Sequence, residues 1–179
     1  GPMRVIAGRL KGRRLLGPEA GDISVRLISD RVREALFSIL EPRRRGSFVD
    51  LFAGTGAVGL EAWSRGHEPV ACVEAAPGAL RLLRANAAET GVQVLARDVR
   101  RCGAGAFRDV ACLFADPPYR ESARLLAALA PKMPGWLAPD GLVVWEQAAG
   151  DPLVLPPGLR LVDQRSYGAA SFHFLRPST

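Results

Sequence analysis

Cysteine, histidine and lysine are all scarce in this chain, and each scarcity removes a class of function. The three cysteines, Cys72, Cys102 and Cys112, are odd in number and show no C-x-x-C spacing. Cys72 and Cys112 sit inside apolar, strand-like runs, so a reduced, cytoplasmic protein is expected rather than a disulfide framework. The two histidines, His67 and His173, belong to no ligand motif, and no metal site is expected. No apolar run approaches the roughly 18 to 20 residues that a membrane span needs, and no signal peptide is recognised at the start. Internal repeats are absent. The 179 residues suffice for one domain with a real core and are few for two. Gly1-Pro2 before Met3 reads as the remnant of a cleaved tag.

Lysine is nearly missing because arginine supplies 22 of the 24 basic side chains. Position matters more than the total. Residues 1–45 hold eleven basic and five acidic residues, 11 − 5 = +6, whereas the other 134 hold thirteen of each. The whole net charge of +6 therefore belongs to the first quarter of the chain. A basic extension on a neutral body suits a polyanion. Arg4, Arg9, Lys11, Arg13 and Arg14, followed by Arg31 and Arg33, are the expected contacts to a nucleic-acid backbone. A solvated, arginine-rich face is the competing reading.

What is present has a rhythm. "RVIAGRLKGRRLL" brackets a Lys11-Gly12 turn signal and could form a small hairpin. "SDRVREALFSIL" predicts a helix capped by Ser29 or Asp30, with Val32, Leu36, Phe37 and Leu40 on one face and Pro42 beyond its end. From Ser47 the apolar runs "FVDLF", "VACVEA", "VQVLA", "VACLFAD" and "GLVVWEQ" alternate with helices expected near 57–65, 78–90, 101–106 and 121–133. Gly66 and Gly91 stand as helix stops. Short apolar strands alternating with helices predict an α/β fold, a parallel sheet covered on both faces. The tail, "LRLVDQRSYGAASFHFL", predicts an antiparallel hairpin around Gly168-Ala169-Ala170. The expected organisation is a tag remnant at 1–2, a basic nucleic-acid-contacting appendage at 3–45 and the main domain at 46–179.

The first strand runs into "DLFAGTGAVGLEA". Gly54 and Gly56 permit a sharp turn and close approach of a ligand, with the N-terminus of the following helix behind them. Gly54-x-Gly56-x-x-Gly59 is the dinucleotide spacing, and Glu74 follows Gly54 by twenty residues, at the end of strand two. That acid would take the two ribose hydroxyls of an adenosine cofactor. The spacing alone does not choose between NAD and S-adenosylmethionine. Asp50 favours the methyl donor, because a carboxylate at the strand mouth would repel a pyrophosphate but hold an ammonium group. Asp98, after strand three, would receive an adenine amine; read alone it is an ordinary helix cap.

The fourth strand ends in Asp116-Pro117-Pro118-Tyr119. Prolines carry no N–H, so this loop offers acceptors without backbone donors at two successive positions. Such a pocket suits a substrate that brings two N–H bonds, as an exocyclic nucleobase amine does. Held between the Asp116 carboxylate and the Pro117 carbonyl, the amine would aim its lone pair at a methyl donor, with Asp116 stabilising the developing cation or taking a proton. Tyr119 would stack on a base drawn out of its helix. An NAD-dependent oxidoreductase explains the glycines but not this loop. A non-enzymatic RNA-binding factor explains the basic extension but not the three acids.

"DLFAGTGAVGLEAWSRG", "VEAAPGALRLLRANAAETG" and "FADPPY" resemble the S-adenosylmethionine-dependent amino-methyltransferases. "MRVIAGRLKGRRL", "SDRVREALFSIL", "GWLAPDGLVVWE" and "RSYGAASFHF" resemble, more narrowly, the bacterial 16S ribosomal RNA guanine-N2 methyltransferases of the RsmD type, in order from Met3 to the C-terminus. The chain departs from that family at Arg26-Leu27-Ile28-Ser29 and at Ala75-Ala76-Pro77. The resemblance implies a Rossmann-like class I methyltransferase with a mostly parallel seven-stranded sheet, acting on 16S RNA in or near the small subunit; nothing in the sequence demands more than a monomer. It implies cofactor contacts from Asp50, Phe52, Ala53, Gly54, Thr55 and Gly56, and from Glu74, Ala75, Asp98 and Val99. It gives Asp116, Pro117, Pro118 and Tyr119 to the target amine. Methylation of DNA adenine or of a protein glutamine is the alternative within the wider class.

Overall fold

The computed structural model describes residues 3–22, 27–43 and 45–178; the expectations for Gly1-Pro2, Arg26 and Arg44 lie outside them. The chain divides into two compact units, Gly1–Val99 and Arg100–Thr179, so the boundary expected at residue 45 falls inside the first. Seven strands form the sheet, in the order β3-β2-β1 through the first unit and β4-β5-β7-β6 through the second.

In the first unit, α1 spans Asp30–Leu40, β1 Ser47–Asp50, α2 Ala57–Ser64, β2 Val70–Glu74, α3 Pro77–Ala87 and β3 Gln93–Ala96. Ser29 caps α1 by accepting the Val32 N–H at 3.2 Å. The three strands pair in parallel, with Asp50 opposite Cys72 and Glu74 opposite Ala96. β1 and β2 are buried along almost their whole length, as a sheet covered by helices requires. Phe37 of α1 stacks on Phe48 of β1 at 6.0 Å between ring centroids, and His67 meets Phe48 edge-on at 5.5 Å. Gly66 takes φ +100° just beyond α2, the expected stop. Gly91 is not the stop of α3, which ends at Ala87. Gly91 instead packs against Trp63, whose Nε1 lies 2.6 Å from where a Cβ would sit.

The expected N-terminal hairpin is a loop closed by a single antiparallel bridge between Arg4 and Arg14. Val5 N–H donates to Arg13 O, and Gly12 N–H returns to Val5 O. Leu15 N–H adds a bond to Met3 O at 2.8 Å, and further hydrogen bonds tie the loop to α1, α2 and α3.

In the second unit, β4 spans Val110–Ala115, α4 Ser122–Leu129, α5 Met133–Trp136, β5 Leu137–Ala148, β6 Leu159–Tyr167 and β7 Ala170–Pro177. β4 and β5 are parallel, and β5, β7 and β6 are successively antiparallel, which gives the expected C-terminal hairpin. The helix expected at 101–106 does not form. Only a 3₁₀ turn at Val99–Arg101 is present, because Gly103 and Gly105 raise the cost of continuing it. Side chains satisfy the carbonyls left over: Lys132 Nζ donates to Arg100 O and Cys102 O at 2.8 and 2.7 Å, and Trp136 Nε1 to Gly103 O at 2.9 Å. The helix expected at 121–133 is broken by Pro131 and Pro134 into α4, a 3₁₀ turn and α5. Among the described residues, no helix is long and apolar enough to cross a membrane, and no group of three or more acids, histidines and cysteines could hold a metal ion.

Candidate functional site

The first unit places Asp50, Glu74 and Asp98 at the C-terminal ends of three adjacent parallel strands. Asp50 is the last residue of β1 and is buried, its Oδ1 accepting the Phe52 N–H at 3.1 Å. The chain then turns through Ala53, Gly54, Thr55 and Gly56 before α2 starts at Ala57. Gly54 and Gly56 lie at φ +56° and +89°, in the left-handed region that side chains resist. A Cβ on Gly56 would also meet Leu83 Cδ1 at 2.4 Å. Gly59 has a different duty: a Cβ there would meet Cys72 Sγ at 2.3 Å, so it sets the close approach of α2 to β2.

Glu74 closes this turn. Oε1 accepts the Gly54 N–H at 2.7 Å, and Oε2 accepts the Ala75 and Ala76 N–H groups at 2.9 Å each. A carboxylate offers about four acceptor positions, so Glu74 keeps acceptor capacity beyond these three bonds. Ala53, Thr55 and Val99 are buried, Phe52, Gly54 and Asp98 are half-buried, and Ala75 is exposed. This set of acceptors suits a ligand rich in hydroxyl and amino hydrogens.

The second unit carries Asp116-Pro117-Pro118-Tyr119 at the end of β4. Pro117 is buried, Asp116 half-buried and Pro118 exposed. Tyr119 opens a 3₁₀ turn, Tyr119–Glu121, and leaves 42 % of its surface accessible. A network unanticipated from sequence underpins the loop. Ser122 Oγ accepts the Trp145 indole N–H at 2.9 Å and donates to Gln147 Oε1 at 3.1 Å. Gln147 Nε2 in turn donates to Pro152 O at 3.2 Å. All three side chains are buried, so the start of α4 is fixed to β5 just behind the exposed tyrosine. A serine opening a helix was the one available signal.

The basic extension is less free than its charge suggests. Arg4, Arg9, Lys11, Arg14 and Arg31 are exposed and Arg13 half-buried, but Arg33 is fully buried. Arg33 therefore cannot grip an RNA backbone, which corrects the expectation for that residue. It falls on the inward face of α1 with Leu36, Phe37 and Leu40, at the spacing of an apolar stripe. There it donates to Arg4 O and Asp30 Oδ1 and lies 3.6 Å from Glu61 Oε1. Burial lowers its pKa from the usual arginine value, and Glu61 and Asp30 oppose that shift. Glu61, also fully buried, accepts the Ile6 and Ala7 N–H groups at 2.8 and 3.0 Å and pairs with Arg65 at 2.8 Å. Ser64 Oγ receives the Leu10 N–H at 2.8 Å and donates to Ala7 O. Arg9 lies 3.5 Å over the Trp63 ring and donates to its carbonyl. Glu61 stands out in sequence as the lone charge in an apolar helix, yet nothing local says that its partners are backbone amides 55 residues away.

The family model described as "Conserved hypothetical protein 95" matches residues 3–176. The chain is 32 % identical over 170 residues to ribosomal RNA small subunit methyltransferase D of Escherichia coli K12, covering 88 % of this chain and 80 % of that protein. It is 29 % identical over 182 residues to the protein of the same name in Haemophilus influenzae, covering 96 % and 92 %. Among solved structures, the candidate methyltransferase yhhF of E. coli superposes with a TM-score of 0.81 at 29 % identity, over 100 % of this chain and 99 % of that one. The expected class I methyltransferase fold is borne out.

Proposed function

The chain belongs to the RsmD-type methyltransferase family, and from that membership we propose that it methylates the exocyclic N2 amine of one guanine in 16S ribosomal RNA, with S-adenosylmethionine as donor. The observation that carries the target chemistry is the donor-poor Asp116-Pro117-Pro118-Tyr119 loop ending β4, with its tyrosine ring open to solvent. S-adenosylmethionine supplies an electrophilic methyl group on a sulfonium centre. Asp50 would hold the ammonium end of that molecule, Glu74 its two ribose hydroxyls and Asp98 the adenine amine. Phe52, Ala75 and Val99 line the same place, and Ala53 to Gly56 let the backbone come close to it.

Asp116 accepts one N–H of the guanine amine and the Pro117 carbonyl the other. With both hydrogens engaged, the nitrogen lone pair is left free to attack the methyl group. As the amine becomes cationic, the Asp116 carboxylate stabilises the charge and takes the departing proton. Tyr119 stacks on the extruded base. Arg4, Arg9, Lys11, Arg13, Arg14 and Arg31 meet phosphates of the RNA, in a preformed loop of the small subunit or a late assembly intermediate. The enzyme works as a monomer in the cytoplasm.

The test is transfer from isotope-labelled S-adenosylmethionine to unmodified small subunits, free 16S RNA, duplex DNA and release factor, with identification of the product. N2-methylguanosine from subunits or 16S RNA is the expected result. Label only in DNA adenine or in protein glutamine would replace this reading, and no label in any substrate would refute it. In equilibrium binding to 16S RNA across a salt series, Lys11→Glu with Arg14→Glu is expected to lower the slope of affinity against salt by about one unit per residue.

A further inference from the structure

Asn86 lies on the inward face of α3, at the helical spacing set by Ala79, Leu80 and Leu83, where an apolar residue would pack without further cost. It is buried and almost fully hydrogen-bonded. Its Nδ2 donates to Thr55 O and to Leu16 O at 2.9 Å each, and its Oδ1 accepts the Leu16 N–H at 2.7 Å. Its backbone oxygen receives Arg13 Nη2, also at 2.9 Å. Thr55 sits between the two left-handed glycines of the loop, and Leu16 and Arg13 belong to the basic extension. One buried amide thus joins the two segments.

We propose that Asn86 is a positioning residue that links occupancy of the glycine loop to seating of the basic extension, so that cofactor and RNA bind with positive cooperativity. The inference rests on the function proposed above. If Thr55 moves, one N–H of Asn86 is left buried without its acceptor, a costly state that favours a different side-chain position. Moving the amide then releases both bonds to Leu16. A ligand that fixes Thr55 holds the amide, and the amide holds the extension. A second ligand that needs the extension in place binds a chain already ordered, and the coupling is reciprocal. A second route runs beside this one, because Glu61 and Ser64, which hold residues 6–10, lie on the helix that begins at Ala57.

The decisive measurement is amide hydrogen exchange at Leu16 with and without saturating S-adenosylhomocysteine, alongside binding of unmodified 16S RNA under both conditions. The expected result is exchange slowed, and RNA affinity raised, by about fivefold or more. Asn86→Asp keeps the shape and removes both donors, and it should bring both factors close to one while S-adenosylhomocysteine still binds. Unchanged Leu16 exchange in a wild-type protein that binds S-adenosylhomocysteine overturns this inference and leaves the proposed function standing. Coupling that persists in Asn86→Asp overturns the assignment to Asn86. Should that variant fail to fold, the wild-type exchange decides alone. Failure of the wild type to bind S-adenosylhomocysteine at all would remove the functional reading itself.

Discussion

The glycine loop after β1 and the Asp116–Tyr119 loop after β4 both end a buried parallel strand, yet they are built on opposite plans. The first is held by its own neighbour's acid: three backbone N–H groups converge on Glu74, and two glycines adopt φ that other residues avoid. The second has two residues with no N–H at all, and it is fixed from beneath by Ser122, Trp145 and Gln147. One loop is shaped by satisfying backbone donors and the other by removing them. The difference teaches that a strand end can be tuned for a hydrogen-rich ligand in either way. In the first case the donors of the turn are gathered on one carboxylate, and in the second two successive prolines withhold their donors from the loop that carries Asp116.

Breaking the second loop should have the largest effect. Asp116→Ala is expected to reduce turnover about a thousandfold while S-adenosylhomocysteine affinity, read by calorimetry, stays as in the wild type. A turnover near wild type would remove Asp116 from the chemistry. Breaking the first loop should act on binding instead. Glu74→Ala leaves the Gly54, Ala75 and Ala76 N–H groups without their acceptor and should weaken S-adenosylhomocysteine by about 10- to 100-fold. An unchanged dissociation constant would place the ribose elsewhere. A smaller change sharpens the contrast: Tyr119→Ala should raise KM for RNA by roughly tenfold, the order of one lost stacking contact, with cofactor affinity untouched.

The smallest effect compares the two units through their histidines. Burial lowers the pKa of His67 in the first unit and of His173 in the second, with a backbone hydrogen bond opposing it in each. The folded state therefore binds protons less readily than the unfolded chain. Stability is fully present above the unfolded value of about 6.5 and falls as pH drops through it. Denaturant unfolding at pH 7.5 and 5.5 should show this loss. It should shrink in His67→Phe, whose ring fills the same space beside Phe37 and Phe48. An acid loss of equal size in that variant would assign it to His173 or to the carboxylates.

The parts of the fold and site that can be read in the sequence are those where one residue type has one physical use. Glycine at 54 and 56 marks positive φ, paired prolines mark missing donors, and Asp50 and Glu74 at the ends of apolar runs mark strand ends. What cannot be read is the destination of a charge. Counting charges placed Arg33 with the RNA-facing arginines, but its spacing with Leu36, Phe37 and Leu40 turns it inward, where Asp30, the Arg4 carbonyl and the distant Glu61 together make that burial tolerable. The segment 101–106 misleads for the opposite reason. Lys132 and Trp136, some thirty residues on, satisfy carbonyls that a helix would otherwise have to bond. Ser122 and Asn86 likewise look ordinary until their partners are in view.

The three thiols have a practical consequence. Cys72 in the first unit and Cys102 and Cys112 in the second are all buried and outside any disulfide, and burial pushes the Cys72 thiol well above its usual range. A thiol shielded in this way reacts with an alkylating reagent only when the surrounding structure opens. The native chain therefore carries its own chemical stopwatches, one in the first unit and two in the second, and timed labelling followed by peptide mass measurement would record how often each unit comes apart without adding any reporter group.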